Sequence, residues 1–273
     1  MDIGLSTYAF PWAIGVEGYQ PDSPLTLPEL LQLCEAWEVP RFQIGDNIPI
    51  HTLPASEWQE ALALADRAGI LLEVGTRRLE ENHLRQYLQL AREARSPFLR
   101  VVIDEGDYQP GEEEVVRIIR KLLPEFKEAR VRLGLENHDR FPALTLRRMV
   151  EETNPVWVGI CLDTSNSLGA GEGLRHIVPV LGPYVFNLHY KDITIKRVGH
   201  KMGFQVEGCC PGTGSIPLDF VLEELIPYGR CQSVTLEQWP PLLNTLAETI
   251  AQERAWAMQG VELLKIHVNQ ISY

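Results

Sequence analysis

The chain is short of several things, and each shortage excludes a class of protein. Basic residues are outnumbered, 25 Lys plus Arg against 37 Asp plus Glu, and a formal net charge of −12 excludes a protein that holds nucleic acid by its overall charge. Cysteine is scarce: Cys34, Cys161, Cys209, Cys210 and Cys231 form an odd set with no CxxC pair, which argues against a secreted disulfide framework or a structural zinc ribbon and predicts five packed thiols. No apolar run approaches the roughly 18 residues of a spanning helix, so no membrane partner is expected. The opening MDIGLSTYAFPW lacks the basic flank and long apolar stretch of a signal peptide, which makes the cytoplasm the expected location. Neither a GxGxxG turn after the first strand nor a GxxxxGK[ST] loop is present, and no Pro/Ser-rich linker divides the chain.

What is present is a long alternation. With 45% hydrophobic residues the chain can bury a full core. Eight β-branched or apolar runs read as strands: 3–10, 41–46, 70–75, 98–104, 132–138, 158–164, 185–192 and 233–239. Between them lie helical patterns over 25–38, 56–69, 80–94, 111–129 and 145–154, with Leu and Ala at three- and four-residue intervals. Eight units in 273 residues give about 34 residues each, the size of a βα repeat. The expected fold class is α/β, a (β/α)8 TIM barrel forming a single domain over residues 1–273, with a doubly wound open sheet as the alternative. The Gly-rich stretch 193–217 cannot be a tidy helix and reads as a long functional loop.

Parallel barrel strands are dry on both faces, so an ionisable residue inside one is costly unless a partner or a metal neutralises it. Glu136, Asp163, His189 and Glu237 stand at the C-terminal ends of the fifth to eighth strands, spaced by 27, 26 and 48 residues. Active sites of such barrels lie at that end. Two Glu, one Asp and one His suit one divalent ion, Mn²⁺, Mg²⁺ or Co²⁺, with Zn²⁺ compatible. Strand parity puts His138 beside Glu136 and Lys191 beside His189. Glu73, Arg100, Asp104 and Asp46 are weaker candidates for the same pocket. His51, His83, His176 and His267 are expected to be solvated, and Tyr8, Phe10 and Trp12 to wall a pocket or cap the core. Trp256, Leu263 and Leu264 either close the barrel or form a subunit contact, so a homo-oligomer stays open.

The opening IGLSTYAFP, LENH at 135–138, LDTSNS at 162–167, LHYKD at 188–192 followed by PGTGSIPLDFVLEEL, and LEQW at 236–239 together resemble the sugar phosphate isomerase/epimerase family of xylose isomerase-like TIM barrels. The resemblance covers essentially the whole chain. It implies metal ligation by Glu136, Asp163, His189 and Glu237, and substrate contacts from His138 and Arg197. Many relatives carry His where this chain has Asn166, so the contact made there is altered or lost. Lys191 matches a frequent HxKD continuation and faces the substrate or pairs with a ligand.

The implied chemistry is isomerisation or epimerisation of a small keto sugar or sugar-acid derivative through a metal-stabilised enediolate, with Glu136 and Glu237 passing a proton on opposite faces. The alternative is a lyase, a decarboxylase or dehydratase of an oxo sugar acid, at the same site. The partner is then a small-molecule carbohydrate or oxo acid. A DNA-repair endonuclease shares the barrel but uses more His ligands, and a noncatalytic sugar-binding barrel is the remaining alternative.

Overall fold

The alternation of apolar runs and amphipathic stretches closes into an eight-stranded parallel barrel in the computed structural model, which describes residues 1–271. Its strands are β1 (Asp2–Ser6), β2 (Arg41–Ile44), β3 (Leu71–Arg77), β4 (Phe98–Val102), β5 (Arg132–Glu136), β6 (Val158–Asp163) and β7 (Val185–Tyr190). A two-stranded antiparallel ribbon, β8 (Ile193–Arg197) and β9 (Phe204–Gly208), stands outside the ring. Strand β10 (Ser233–Leu236) then pairs with β7 on one side and β1 on the other and completes it. The closed ring excludes the open-sheet alternative.

Helices α1 (Pro11–Ile14), α2 (Leu27–Ala36), α3 (Ala55–Ala68), α4 (Glu81–Glu93), α5 (Glu112–Ala129), α6 (Ala143–Thr153), α7 (Leu174–Leu181), α8 (Leu218–Leu225) and α9 (Leu246–Ile271) follow the strands. Local chemistry sets their ends. The Thr26 amide donates to Glu29 at the start of α2, Glu80 accepts from the amides of Asn82 and His83 at the start of α4, and three glutamates occupy the first turn of α5. α3 stops at Gly69, whose φ of 67° is left-handed. Leu264 on α9 is buried in the core, so this helix helps seal the barrel. Among the described residues no helix is long and apolar enough to cross a membrane. All five cysteines are free thiols, with Cys34 and Cys161 fully buried.

Three sequence expectations need correction. The first strand ends at Ser6, not 10, because the Ser6 hydroxyl accepts the Tyr8 amide and starts a 3₁₀ turn over Thr7–Ala9. The third strand runs past Gly75 to Arg77. The stretch 193–217 is largely the β8–β9 ribbon rather than a loop: Ile193 and Ile195 alternate with polar residues and pair with Gly208 and Val206. Elsewhere the last one to three residues of the expected strands leave the ladder, and these include His138, Lys191 and Glu237.

Residues two apart on a strand share a face. Leu72 and Val74, Leu133 and Leu135, Ile160 and Leu162, and Val234 and Leu236 pack in the core, while the alternate positions line the barrel interior. That interior carries polar side chains at two levels. At the lower level the Glu73 carboxylate accepts from Arg41 (3.1 Å), Gln43 (3.1 Å) and Ser233 (2.9 Å). Gln43 also donates to Asn187, whose amide donates to Ser233 and Thr235. The upper level lies at the strands' C-terminal ends.

Candidate active site

Inward-facing positions of β5, β6 and β7 bring Glu136, Asp163 and His189 together, all three fully or almost fully buried, with one ligand atom from each within 4.8 Å of the others. Atoms that share an ion at about 2.0–2.2 Å lie at most some 4.4 Å apart, so the trio needs only a small contraction to grip one ion. Both nitrogens of His189 are buried without a hydrogen-bond partner, and Oδ2 of Asp163 meets only the Lys191 ammonium. Orphaned lone pairs of this kind are costly in a protein interior and are what a metal ion satisfies. The residues therefore fit a divalent cation.

The fourth expected ligand, Glu237, follows β10 and is held close by. Its Oε1 lies 3.6 Å from His189 Nδ1 and accepts from the Ser6 hydroxyl at 3.1 Å. Glu136 lies 3.4 Å from the same nitrogen. Lys191 Nζ lies 3.0 Å from Asp163 Oδ2 and 3.1 Å from Glu237 Oε2, and 4.4 Å from the centre of the Trp239 ring. Burial alone would neutralise this lysine, but Asp163, Glu237 and Glu136 outweigh it and raise its pKa. Burial likewise opposes ionised Asp163, yet Lys191, His189 and the amides of Ser165 and Asn166 hold its carboxyl below the usual range. Glu237 is lowered against its own burial by His189 and Lys191.

Backbone and side-chain contacts fix these groups. Asn137 donates to the Asp163 carbonyl and accepts the Asp163 amide, and the Asp163 carboxylate caps the turn that follows by accepting from Ser165 and Asn166. The Asn166 side chain donates to Glu136 at 2.9 Å. Asp192 accepts from the amides of Gly212 and Gly214 (2.9 and 2.8 Å), which joins LHYKD and PGTGSIP into one structural unit at the end of β7.

A cavity of about 180 Å³ opens above this cluster, lined by Tyr8, Arg77, Arg100, Glu136, His138, Asn166, Lys191, Glu237 and Trp239. His138 stands half-buried at its edge beside Asp139. Of the residues expected at the site, Arg197 alone lies apart: it is exposed on the ribbon, donating to the Lys201 carbonyl with its guanidinium over the Phe204 ring. Among the weaker candidates, Arg100 lines the cavity and ion-pairs with Glu136 and Asp46, Glu73 belongs to the lower polar level, and Asp104 pairs with Arg140 near the surface. His51 is exposed as expected, its Nδ1 2.8 Å from the Tyr87 hydroxyl, whereas His83 is half-buried against the Tyr87 ring, 2.7 Å from Thr76 Oγ1. Phe10 is core, and Trp12 donates to the Pro240 carbonyl. Arg77 escaped the sequence reading, although it shares a strand face with Glu73.

Comparison with known proteins follows the same lines. The xylose isomerase-like TIM barrel family matches residues 76–266. The 3-oxo-isoapionate decarboxylase of Pectobacterium atrosepticum is 31% identical over 97% of this chain and 95% of its own. A xylose isomerase domain protein from Planctomyces limnophilus superposes with a TM-score of 0.74 at 19% identity, over 100% of this chain and 99% of that one. The D-psicose 3-epimerase of Clostridium cellulolyticum, solved with D-tagatose, gives 0.73 at 16% identity, over 98% and 99%. The two structures share the barrel.

Proposed function

Because the chain belongs to the xylose isomerase-like TIM barrel family, we propose that it is a divalent-metal-dependent enzyme that decarboxylates a small 3-oxo sugar acid. The observation that carries this reading is the convergence of Glu136, Asp163 and His189, with orphaned buried lone pairs, beside two buried cations in one small cavity. Support for decarboxylation comes from the curated relative of 31% identity. At about 180 Å³ the cavity is below the range of drug-sized sites, which suits a substrate of a few carbons.

Glu136, Asp163, His189 and Glu237 would hold the ion, and when bound it would supply Lewis-acid polarisation of the substrate carbonyl. The chain's own groups do the rest. Lys191, kept charged by its carboxylate neighbours, faces the negative charge that develops at the carbonyl side as the C–C bond opens. Asn166 fixes Glu136, His138 reaches the substrate from the edge, and Trp239 shields Lys191 from water. Arg197 would join only from a ribbon folded over the mouth. The partner in this reading is a small oxo acid, and the location is the cytoplasm.

A second reading, epimerisation or isomerisation of a keto sugar, is favoured by one feature: two glutamates, Glu136 and Glu237, converge on the cavity beside His189 Nδ1 at 3.4 and 3.6 Å, so that one could take a proton and the other return it. Incubation of the Mn²⁺-loaded protein in deuterated water with 3-oxo sugar acids and with ketoses separates the two. Carbon dioxide release with one deuterium retained in the product is expected. Deuterium uptake by ketoses without loss of mass transfers the reaction to the epimerases, and silence with both panels overturns the proposal.

A further inference from the structure

The cavity has a second half that the metal site does not use. On the side of β3 and β4, which continue the ring from the ligand strand β5, Arg77 and Arg100 both line it. One aspartate aims them. Asp46 Oδ2 accepts from Arg77 Nε at 3.0 Å and from the Tyr8 hydroxyl at 2.9 Å, and its Oδ1 accepts from Arg100 Nη1 at 2.7 Å. Arg100 spends its Nε on Glu136. Among the described residues, nothing accepts from either terminal nitrogen of Arg77 or from Nη2 of Arg100, although the Arg100 side chain is only 3% exposed.

The backbone is shaped to place these groups. Arg100 lies opposite Gly75 in the β3–β4 register. A Cβ at Gly75 would stand 2.9 Å from the Ile44 carbonyl and 3.1 Å from Arg100 Cδ, so the absent side chain is the slot through which the guanidinium reaches the cavity.

We propose that Arg77 and Arg100 form a forked seat for a substrate carboxylate, so that the acid end of the substrate points at β3 and β4 while its carbonyl faces the ligands on β5 to β7. This rests on the reading above that the substrate is a small sugar acid, and it names which end goes where. Guanidinium groups match a planar carboxylate in pairs of parallel hydrogen bonds, and three unspent donors at the wall of one pocket are an acceptor's complement. Charge agrees. Three cations, Arg77, Arg100 and Lys191, stand against four carboxylates, Asp46, Glu136, Asp163 and Glu237, leaving one negative charge. A divalent ion would reverse that to one positive, which a monoanion neutralises and a phosphate dianion overshoots. Arg197, on its exposed ribbon, is not needed for the anion.

The test is calorimetric binding of D-ribonate, ribitol and ribose 5-phosphate to the full chain, with and without Mn²⁺. Ribonate is expected to bind at least about ten-fold tighter than ribitol, and Arg77→Ala to cost ribonate about ten-fold, with Arg77→Lys recovering part and ribitol unchanged. The Arg77 side chain is 30% exposed, so its loss leaves the core packing untouched. Ribonate that binds no better than ribitol, or not at all, or that ignores Arg77→Ala, overturns the seat. A stronger Arg77-dependent grip on ribose 5-phosphate overturns its assignment to carboxylate. Failure of carbon dioxide release with Arg77-dependent ribonate binding intact would count against the proposed reaction and leave the seat standing.

Discussion

The lower and upper polar levels of the barrel interior are built from similar residues and solve burial in opposite ways. Below, the Glu73 carboxylate is met by Arg41, Gln43 and Ser233, Asn187 is met by Gln43, Ser233 and Thr235, and none of the fully buried polar side-chain atoms there is orphaned. Above, His189 has no hydrogen bond at either nitrogen, and Asp163 Oδ2 meets only Lys191 Nζ, at 3.0 Å. An unmet buried polar atom costs about 1–3 kcal/mol, so the upper level is a place where folding stability is given up. A saturated layer has no capacity left for a ligand. An unsaturated one at the open end of the barrel has the lone pairs that an ion requires.

The sharpest way to break this contrast is His189→Leu, which is close in volume. Turnover is expected to fall at least about 10³-fold with loss of the bound ion, by metal analysis and activity assay, while the urea midpoint of the metal-free protein falls only slightly, because no hydrogen bond is lost and only the 3.4 and 3.6 Å contacts with Glu136 and Glu237 go. Glu73→Ala should do the reverse: it takes the acceptor from the buried donors of Gln43 and Ser233, Arg41 keeping Asp2, and removes about 3 kcal/mol of stability with Mn²⁺ affinity unchanged. Equal destabilisation by the two variants would erase the distinction between the levels.

A smaller effect comes from a further buried carboxylate, Glu253 on α9. It accepts from the amides of Trp12 and Ala13 at 2.8 and 2.9 Å, and burial, only partly offset by those amides, lifts its pKa from 4.5 to about 8. The folded chain therefore binds a proton that the unfolded chain has released between these values. Stability from this group is full below about 4.5 and is lost as pH rises to about 8. Denaturation across that window should show the decline, and Glu253→Gln should flatten it. An unchanged slope would remove Glu253 as the cause.

Much of this was legible in the residues because a dry strand makes a charge conspicuous. Glu136, Asp163, His189 and Glu237 stood out for that reason, and Lys191 by parity. Arg77 was missed through one misplaced boundary: Gly75 reads as the end of a strand, whereas it is a gap that Arg100 fills from the neighbouring strand. That role depends on who lies opposite, which one strand's residues do not state. The ribbon at 193–208 was hidden by glycines and lysines although its two-residue alternation was present. The direction of Arg197 follows from a contact with Phe204 across the ribbon, so it could not be read before the ribbon was.

The hydrogen bond between Ser6 and Glu237 joins residues 231 apart, and Gln238 ties the Ala9 carbonyl to that of Glu253. The turn after β1 is thus held in place by the segment that follows β10. A nascent chain stalled before β10 already holds Glu136, Asp163 and His189, yet lacks Glu237 and the Trp239 wall. Its ring is open between β7 and β1, so closing the barrel and completing the site are one event, and a change that loosens the β1–β10 seam loosens the site with it.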